Sequence, residues 1–155
     1  MTSRTTLPLV LELPWPNSMN THWRSMNLPN GTPVKYISEA GKKYRKAVCE
    51  ACLVQRAPVG LHGPLAVLVE AWLPDRRQRD LDNYLKPLFD AMKTPTRPKE
   101  MMASVVVDDS QFRDIRIVDR GLAPPGRILV TITRFTDGPD LALEQDDGDN
   151  AAGAT

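Results

Sequence analysis

Two aspartates, Asp80 and Asp82, lie two residues apart, after three arginines and shortly before Lys86, in the stretch DRRQRDLDNYLKPLFDAM. Two ionised carboxylates this close together repel each other unless a cation lies between them. A second acidic pair, Asp108 and Asp109, follows the short apolar run SVVV. Mg²⁺ is bound in proteins by one or two carboxylates, with water and substrate phosphate as its other ligands. The two acidic pairs therefore indicate a divalent-metal site.

The basic residues around the first acidic pair offer two interpretations. Lys86 follows Asp82 by four residues, which on a helix places the two side chains on the same face, as in an ordinary surface salt bridge. Beside a metal-bound phosphodiester, the same ammonium would offset the charge that develops in the transition state. The spacing leaves both open. The three arginines, which are placed to contact neighbouring phosphates, are Arg76, Arg77 and Arg79.

An Asp-x-Asp pair is weak evidence when taken alone, because calcium-binding loops and aspartyl-phosphate enzymes also contain it. A calcium loop needs a third acid, a glycine and a terminal glutamate at fixed positions, and the residues after Asp80 do not supply them. An aspartyl-phosphate enzyme of the D-x-D-x-T type needs Thr or Val where this chain has Tyr84. Neither alternative fits the residues around the pair.

Alternating strands and helices must position these side chains. Ser38 is a good N-cap, and Tyr44, Val48 and Cys52 follow helical spacing, so we expect an amphipathic helix from Ser38 to about Arg56. A second helix is predicted over about residues 83–93, with Asp82 or Asn83 as its N-cap. Asp80 and Asp82 would then lie between a strand and the start of this helix.

Hydrophobic patterns predict the strands and loops. The run LAVLVEAWLP is almost continuously apolar, which favours a strand buried on both faces. The segment NSMNTHWRSMNLPNGTP is polar and rich in Asn, Pro and Gly, and we expect a loop there. The other predicted strands are PLVLELPWP, VKYI, SVVV, FRDIRIV and RILVTITRF. The order predicts a single α/β domain with a mixed β-sheet packed by two main helices.

The charge is unevenly distributed along the 155 residues. The net charge is only +1, but six of the 19 acids and none of the 20 basic residues follow Arg134. The segment 1–135 therefore carries about seven excess positive charges, which suits a polyanion such as nucleic acid. We predict a folded domain over 1–135 and an acidic, disordered tail over 136–155.

The cysteine content and the hydropathy bear on location. Cys49 and Cys52 are too few for a disulfide framework, and we expect them to be packed thiols within the first main helix. The sequence has neither an N-terminal apolar leader region nor a run of about 18 apolar residues. We therefore expect a cytoplasmic protein that does not interact with a membrane.

Several motifs resemble those of one family in the same order along the chain. The string RDLDNYLKPLFDAM, followed by VDDSQ, resembles the signature of the RusA-type Holliday junction resolvases, and LPWPNSMNTHWR and ISEAGKKYRKAV resemble the family's first strand and first helix. The resemblance implies a homodimeric, Mg²⁺-dependent endonuclease, with Mn²⁺ as an alternative ion. It also implies that Asp80, Asp82 and Asp109 bind the metal and that Lys86 is catalytic, with Asp108 as a neighbour.

The sequence therefore predicts an enzyme that resolves Holliday junctions and other branched DNA in recombination and repair. Metal-activated water would attack a phosphodiester, with DNA contacts from Lys86 and the three arginines. A homodimer would supply two sites, and the apolar strand LAVLVEAWL, with Trp72, and the edge strand RILVTITRF are candidate interface segments. Two alternatives remain open: a catalytically silent DNA-binding protein and a metal phosphohydrolase for small substrates.

Overall fold

The computed structural model describes residues 6–97 and 100–136, which form one α/β unit and confirm the predicted fold class. Within these residues, no helix is long and apolar enough to cross a membrane. The strands are β1 (Leu9–Pro14), β2 (Trp23–Asn27), β3 (Pro33–Ile37), β4 (Leu65–Leu73), β5 (Phe112–Leu122) and β6 (Arg127–Arg134), and the helices are α1 (Met19–His22), α2 (Glu39–Val54) and α3 (Leu85–Met92).

Four strands form a mixed sheet in the order β1-β6-β4-β5. Strand β4 runs parallel to β5 and antiparallel to β6, and β1 is antiparallel to β6. The prediction that RILVTITRF forms an edge strand was wrong, because β6 lies between β1 and β4. The edges of this sheet are β1 and β5.

The core lies on one face of the sheet. Leu65, Val67 and Val69 of β4 are buried under helices α2 and α3, whereas the intervening Ala66 and Leu68 are only half-buried. The expected burial of β4 on both faces was therefore wrong within this chain. A strand's side chains alternate between faces, and the described helices supply core residues to only one of them. We call the other face the open face.

Helix α2 forms where its pattern predicts. The Ser38 hydroxyl oxygen accepts a hydrogen bond from the Gly41 backbone N–H at 3.1 Å, which makes Ser38 the predicted N-cap. Tyr44, Val48 and Cys52 face the core, and the Tyr44 hydroxyl donates to the Pro14 carbonyl at the end of β1. Cys49 and Cys52 are free thiols, and Cys52 is buried, as the packed-pair interpretation expects.

The second main helix starts later than predicted. A 3₁₀ turn over Leu81–Tyr84 precedes α3, and Tyr84 occupies the N-cap position without a capping side chain. The predicted caps, Asp82 and Asn83, were therefore wrong. Pro87 is the third residue of α3, where its missing N–H costs nothing, because the first four N–H groups of a helix have no partner inside the helix.

Two other segments differ from expectation. The segment predicted as a polar loop contains α1 and β2, and β2 pairs with β3 as an antiparallel hairpin. The sequence did not predict this hairpin because it extends away from the core. All but three of its strand residues are exposed, so it lacks an apolar pattern.

The run SVVV does not form a strand of the sheet, since Val106 makes only isolated bridges to Leu61 and Lys93. The predicted acidic tail lies outside the described residues apart from Thr136.

Gly41 lets α1, the hairpin and α2 approach closely. A Cβ atom at this position would lie 2.7 Å from Ile37 Cγ1 and 3.0 Å from the His22 carbonyl oxygen. That carbonyl cannot move freely, because it accepts a hydrogen bond from the Ser38 N–H at 2.9 Å. The junction therefore requires a residue without a side chain.

We predict that Gly41→Ala destabilises the protein by up to about 2 kcal/mol, because an overpacking penalty of about 1–3 kcal/mol is only partly offset by the gain of about 1 kcal/mol that Ala gives a helix over Gly. Urea unfolding monitored by circular dichroism measures this change. Ala40→Gly, at an exposed position of the same helix, is the control and reports the propensity term alone. A Gly41→Ala protein as stable as the wild type would contradict the close approach.

Candidate active site

The first acidic pair lies on the turn between β4 and α3. The Asp80 carbonyl accepts a hydrogen bond from the Asn83 N–H at 3.1 Å, which closes the 3₁₀ turn through backbone atoms. The Asp80 side chain makes no capping hydrogen bond, and both Asp80 and Asp82 are exposed. The ion pairs found among the described residues involve neither aspartate. Both carboxylates are thus available to a ligand.

Aromatic and ionic contacts hold this turn in place. The rings of Trp15 and Tyr84 lie 5.1 Å apart, and the Arg79 guanidinium lies 5.8 Å from the Trp15 ring centroid. Arg79 Nη2 is also 2.6 Å from an Asp75 carboxylate oxygen, and its side chain is only 11% exposed. Hydrogen bonds from the Arg77 N–H and the Arg79 guanidinium lower the pKa of Asp75. Arg79 therefore stabilises the turn from within.

The other two arginines of the basic run are more accessible. Arg77 lies 3.7 Å from Asp75 but keeps 84% of its side chain exposed, and Arg76 is exposed as well. Of the three arginines, Arg79 is the least able to contact DNA, because its guanidinium already binds the Asp75 carboxylate and two backbone carbonyls. The DNA contacts of all three arginines stay a prediction.

Asp109 lies on a second short turn, Asp109–Gln111, between the SVVV segment and β5. Asp108 caps this turn by accepting hydrogen bonds from the N–H and the hydroxyl of Ser110, which lower the pKa of Asp108. The Gln111 side-chain oxygen accepts from the N–H groups of Val107 and Asp108, each at 2.9 Å. Asp108 is therefore a cap that fixes the neighbouring Asp109.

Gln111 also connects this turn to the segment that enters β4. Its side-chain nitrogen donates to the carbonyls of Leu61 and Gly63, at 2.8 Å and 2.9 Å. Sequence reasoning gave Gln111 no role of its own, although the spacing DDSQ is a capping-box pattern that indicates such a turn. The four hydrogen bonds of one side chain thus set the position of Asp109.

Lys86 connects helix α3 to the second acidic turn. Its ammonium nitrogen lies 2.8 Å from Asp109 Oδ2 and 2.9 Å from Asp90 Oδ1. Lys93 lies 3.1 Å from the same Asp90 oxygen and 3.9 Å from Asp109 Oδ1. The two lysines are close enough to Asp90 Oδ1 to form ion pairs, but neither is oriented to donate a hydrogen bond to that oxygen. Lys86 does donate a hydrogen bond to Asp109.

The protonation state of Lys86 follows from these contacts. Partial burial alone would lower the pKa of its ammonium, but the contacts with Asp109 and Asp90 outweigh burial, and the pKa is raised above its usual value. Lys86 is therefore a stable cation at neutral pH. It is suited to neutralise negative charge on a bound group and unsuited to accept a proton.

The predicted partner of Lys86 was wrong. The i, i+4 argument assumed that Asp82 and Lys86 share one α-helix, but Asp82 lies in the 3₁₀ turn and Lys86 contacts Asp90 and Asp109 instead. Sequence reasoning also missed Asp90 and Lys93. Their spacing from Lys86 is the signal that could have found them, because i+4 and a further i+3 place three charges on one helical face.

The donor chemistry of the site suits a hard divalent cation. Among residues 6–97 and 100–136, no three acidic, histidine or cysteine side chains lie close enough together to form a metal-binding group. Mg²⁺ does not require such a cage, since one or two carboxylates, water and substrate phosphate can complete its coordination. The exposed and unpaired Asp80 and Asp82 meet that requirement. The described residues do not gather Asp109 with Asp80 and Asp82 into one group, so the assignment of all three as metal ligands stays a prediction.

Comparison with known proteins identifies the family. A family model described as endodeoxyribonuclease RusA matches residues 14–133. The chain belongs to the RusA family. It is 38% identical over 123 residues to the crossover junction endodeoxyribonuclease rusA of Enterobacteria phage HK97, covering 79% of this chain and 92% of the relative. The same-named proteins of Enterobacteria phage 82 and Escherichia coli K12 are 34% and 33% identical over 125 residues, covering 81% of this chain and 93% of each relative.

The match covers every element that builds the site. Residues 14–133 include both acidic turns, α3 and the hairpin. The resemblance seen in the motifs is therefore confirmed at the level of the family, and the carboxylates and lysines described above belong to a RusA-family fold.

Proposed function

We propose that this protein is a structure-selective endodeoxyribonuclease that cuts branched DNA, most characteristically four-way junctions. The observation that carries the proposal is the Lys86 ammonium, held 2.8 Å from Asp109, on the helix that follows the turn with the exposed Asp80 and Asp82. The names of the relatives, crossover junction endodeoxyribonuclease, support the same substrate. Recombination and DNA repair are the processes in which such a substrate arises.

The reaction is hydrolysis of a phosphodiester. A water oxygen loses a proton to solvent and forms a bond to phosphorus, the P–O bond to the departing strand oxygen breaks, and that oxygen takes up a proton from solvent. Mg²⁺ or Mn²⁺ held by Asp80, Asp82 and Asp109 would supply Lewis-acid chemistry and a water of lowered pKa. Lys86 offsets the negative charge that grows on the phosphoryl oxygens, a contribution that a cation fixed in advance makes without reorganisation. Asp90 and the 109–111 turn position Lys86 and Asp109.

The function is tested with a synthetic four-way junction, Mg²⁺ and a denaturing gel. We predict that the wild type cuts the junction and that Asp82→Asn lowers the rate by at least about a hundredfold, the order expected when catalytic charge stabilisation is lost. Junction binding should stay intact or become tighter, because a negative charge is removed from a phosphate-binding surface. Binding without cleavage by the wild type would favour the silent DNA-binding protein. Cleavage by Asp82→Asn at the wild-type rate would refute the metal assignment.

Substitutions of Lys86 distinguish a role in the transition state from a purely structural role. We predict that Lys86→Met lowers the cleavage rate at least about a hundredfold while Lys86→Arg retains part of the activity, since it keeps the charge but changes its geometry. The control is the melting temperature of each variant. A Lys86→Met protein that cuts normally but melts earlier would show that the lysine serves only as an ion-pair partner.

We also propose that the protein acts as a homodimer. Two symmetric cuts need two sites, and each described chain carries one set of Asp80, Asp82 and Lys86. The open face supports self-association, because Leu68, Leu129 and Trp72 are only half-buried there and Val10 is 51% exposed. An isologous pair would cover the same patch on both chains.

We predict a sedimentation mass near twice 17.3 kDa at micromolar concentration. Leu68→Asp, in the middle of the open face, should shift the mass towards that of one chain, because a charge would be buried between the copies. Leu53→Asp is the matched control, since Leu53 lies on α2 with 78% exposure and outside that face. A wild-type monomer that still makes paired symmetric cuts would refute the dimer.

A further inference from the structure

A cleft of about 550 Å³ lies between the β2–β3 hairpin, α1 and the start of α3. We call it the hairpin cleft, and the residues that matter to its chemistry are Met19, Trp23, Arg24, Lys35 and Lys86. Lys86 is the lysine that contacts Asp109, so the cleft opens directly beside the candidate active site. Trp23, Arg24 and Lys35 have no part in the proposed hydrolysis.

The charge of the hairpin cleft favours an anion. Among the described residues that line it, three are basic and none is acidic. A larger cleft of about 660 Å³ between β1 and α2 is lined by Glu12 and Glu50 with a single arginine, Arg127. Phosphate would be repelled by the carboxylates of that second cleft and attracted by the hairpin cleft. The two concave surfaces therefore differ in the ligands that they suit.

Trp23 gives the hairpin cleft an aromatic wall that is held from behind. The Arg45 guanidinium lies 5.8 Å from the Trp23 ring centroid, and the His22 ring meets Trp23 edge-on at 5.4 Å. Arg45 and His22 are both buried, whereas Trp23 is half-buried and lines the cleft. The ring is thus supported from the protein interior and has surface left for a ligand. An aromatic ring beside cations is the combination that binds unpaired nucleotides, through base stacking and phosphate contacts.

The size of the cleft selects the form of the nucleic acid. A volume of this order is typical of sites for small ligands and is large enough for one nucleotide. On the hairpin, Trp23 pairs with Ile37 and Ser25 pairs with Lys35, so Trp23 and Lys35 project from the same face of the two strands. A base on Trp23 would therefore have its backbone within reach of Lys35, in a cleft that Lys86 also lines.

We propose that the hairpin cleft binds one unpaired nucleotide next to the scissile phosphate, with its base stacked on Trp23 and its phosphates contacted by Arg24 and Lys35. This assignment rests on the proposed nuclease function and adds a specificity element to it. A branch point exposes base faces that a continuous duplex keeps stacked, so the cleft gives the enzyme a reason to prefer branched DNA. Trp23 is a binding residue in this proposal, and the hydrolysis itself stays with Lys86 and the carboxylates.

Photocross-linking tests the stacking contact. A four-way junction carries 5-iodouracil at successive positions around the cleavage site, and the wild-type protein is bound without divalent metal, irradiated and digested for mass spectrometry. The expected result is a cross-link to Trp23 from a position beside the cut. Cross-links confined to other residues, from a junction that the protein binds and cuts, would overturn the cleft assignment and leave the nuclease function standing.

Binding measurements provide a second test. Trp23→Ala should raise the Kd for the junction about tenfold, the order expected for loss of one base–aromatic stack, and raise that for a linear duplex much less. Trp23→Phe should restore most of the affinity, which a merely structural role at this position would not predict. An unchanged ratio of junction to duplex affinity in Trp23→Ala would overturn the proposal. Circular dichroism melting verifies that each variant is folded.

Substitutions of the exposed cations Arg24 and Lys35 provide a third test, which does not require Trp23→Ala to fold. Arg24→Ala and Lys35→Ala should each reduce the slope of log K against log salt concentration by about one unit. Arg56→Ala is the control, because Arg56 follows the C-terminal end of α2, a 16-residue helix about 24 Å long at a rise of about 1.5 Å per residue, whereas the hairpin precedes its N-terminal end. Slopes equal to the control for both variants would overturn the phosphate contacts. A protein that binds no junction at all would overturn the nuclease function and the cleft assignment together.

Discussion

The buried carboxylate of Asp90 is the constraint on which the site depends. Asp90 lies on α3 among core residues such as Leu88 and Met92, and its side chain is 3% exposed. A charge in such surroundings is costly unless cations compensate it. Lys86 and Lys93, from the same helix, supply that compensation at 2.9 Å and 3.1 Å. The packing that buries α3 therefore also determines where the Lys86 ammonium lies.

Fixing Lys86 in this way has a chemical consequence. A lysine side chain is flexible and loses considerable conformational entropy when it is held in one geometry. Here Asp90 and Asp109 hold it before any substrate arrives, and both raise the pKa of its ammonium. A cation that is already oriented and charged stabilises developing negative charge without further reorganisation. If Lys86 acts as proposed, removing Asp90 would change the reaction rate through Lys86, although Asp90 itself need not touch a substrate.

The sequence predicts the periodic elements well and the contacts across the site poorly. The Ser38 cap and the spacing of Tyr44, Val48 and Cys52 located α2, because local hydrogen bonding and one apolar face decide that helix. The partner of Lys86 was missed because Asp82 lies in a 3₁₀ turn and not in the helix that contains Lys86. No local sequence pattern predicted that turn. Asp90 was missed because an acid in an amphipathic helix ordinarily faces water, and only the tertiary fold buries it.

The distribution of charge explains how an acidic centre can receive a polyanion. Asp80, Asp82 and Asp109 would repel phosphate if they stood alone, at distances where screening by salt is incomplete. Exposed cations accompany them: Arg76 and Arg77 precede the first acidic turn in the chain, and Arg24 and Lys35 line the cleft that Lys86 also lines. Attraction over the wider surface can therefore outweigh repulsion at the centre. In the proposed function, the surrounding arginines and lysines, rather than the carboxylates, would provide the affinity for nucleic acid.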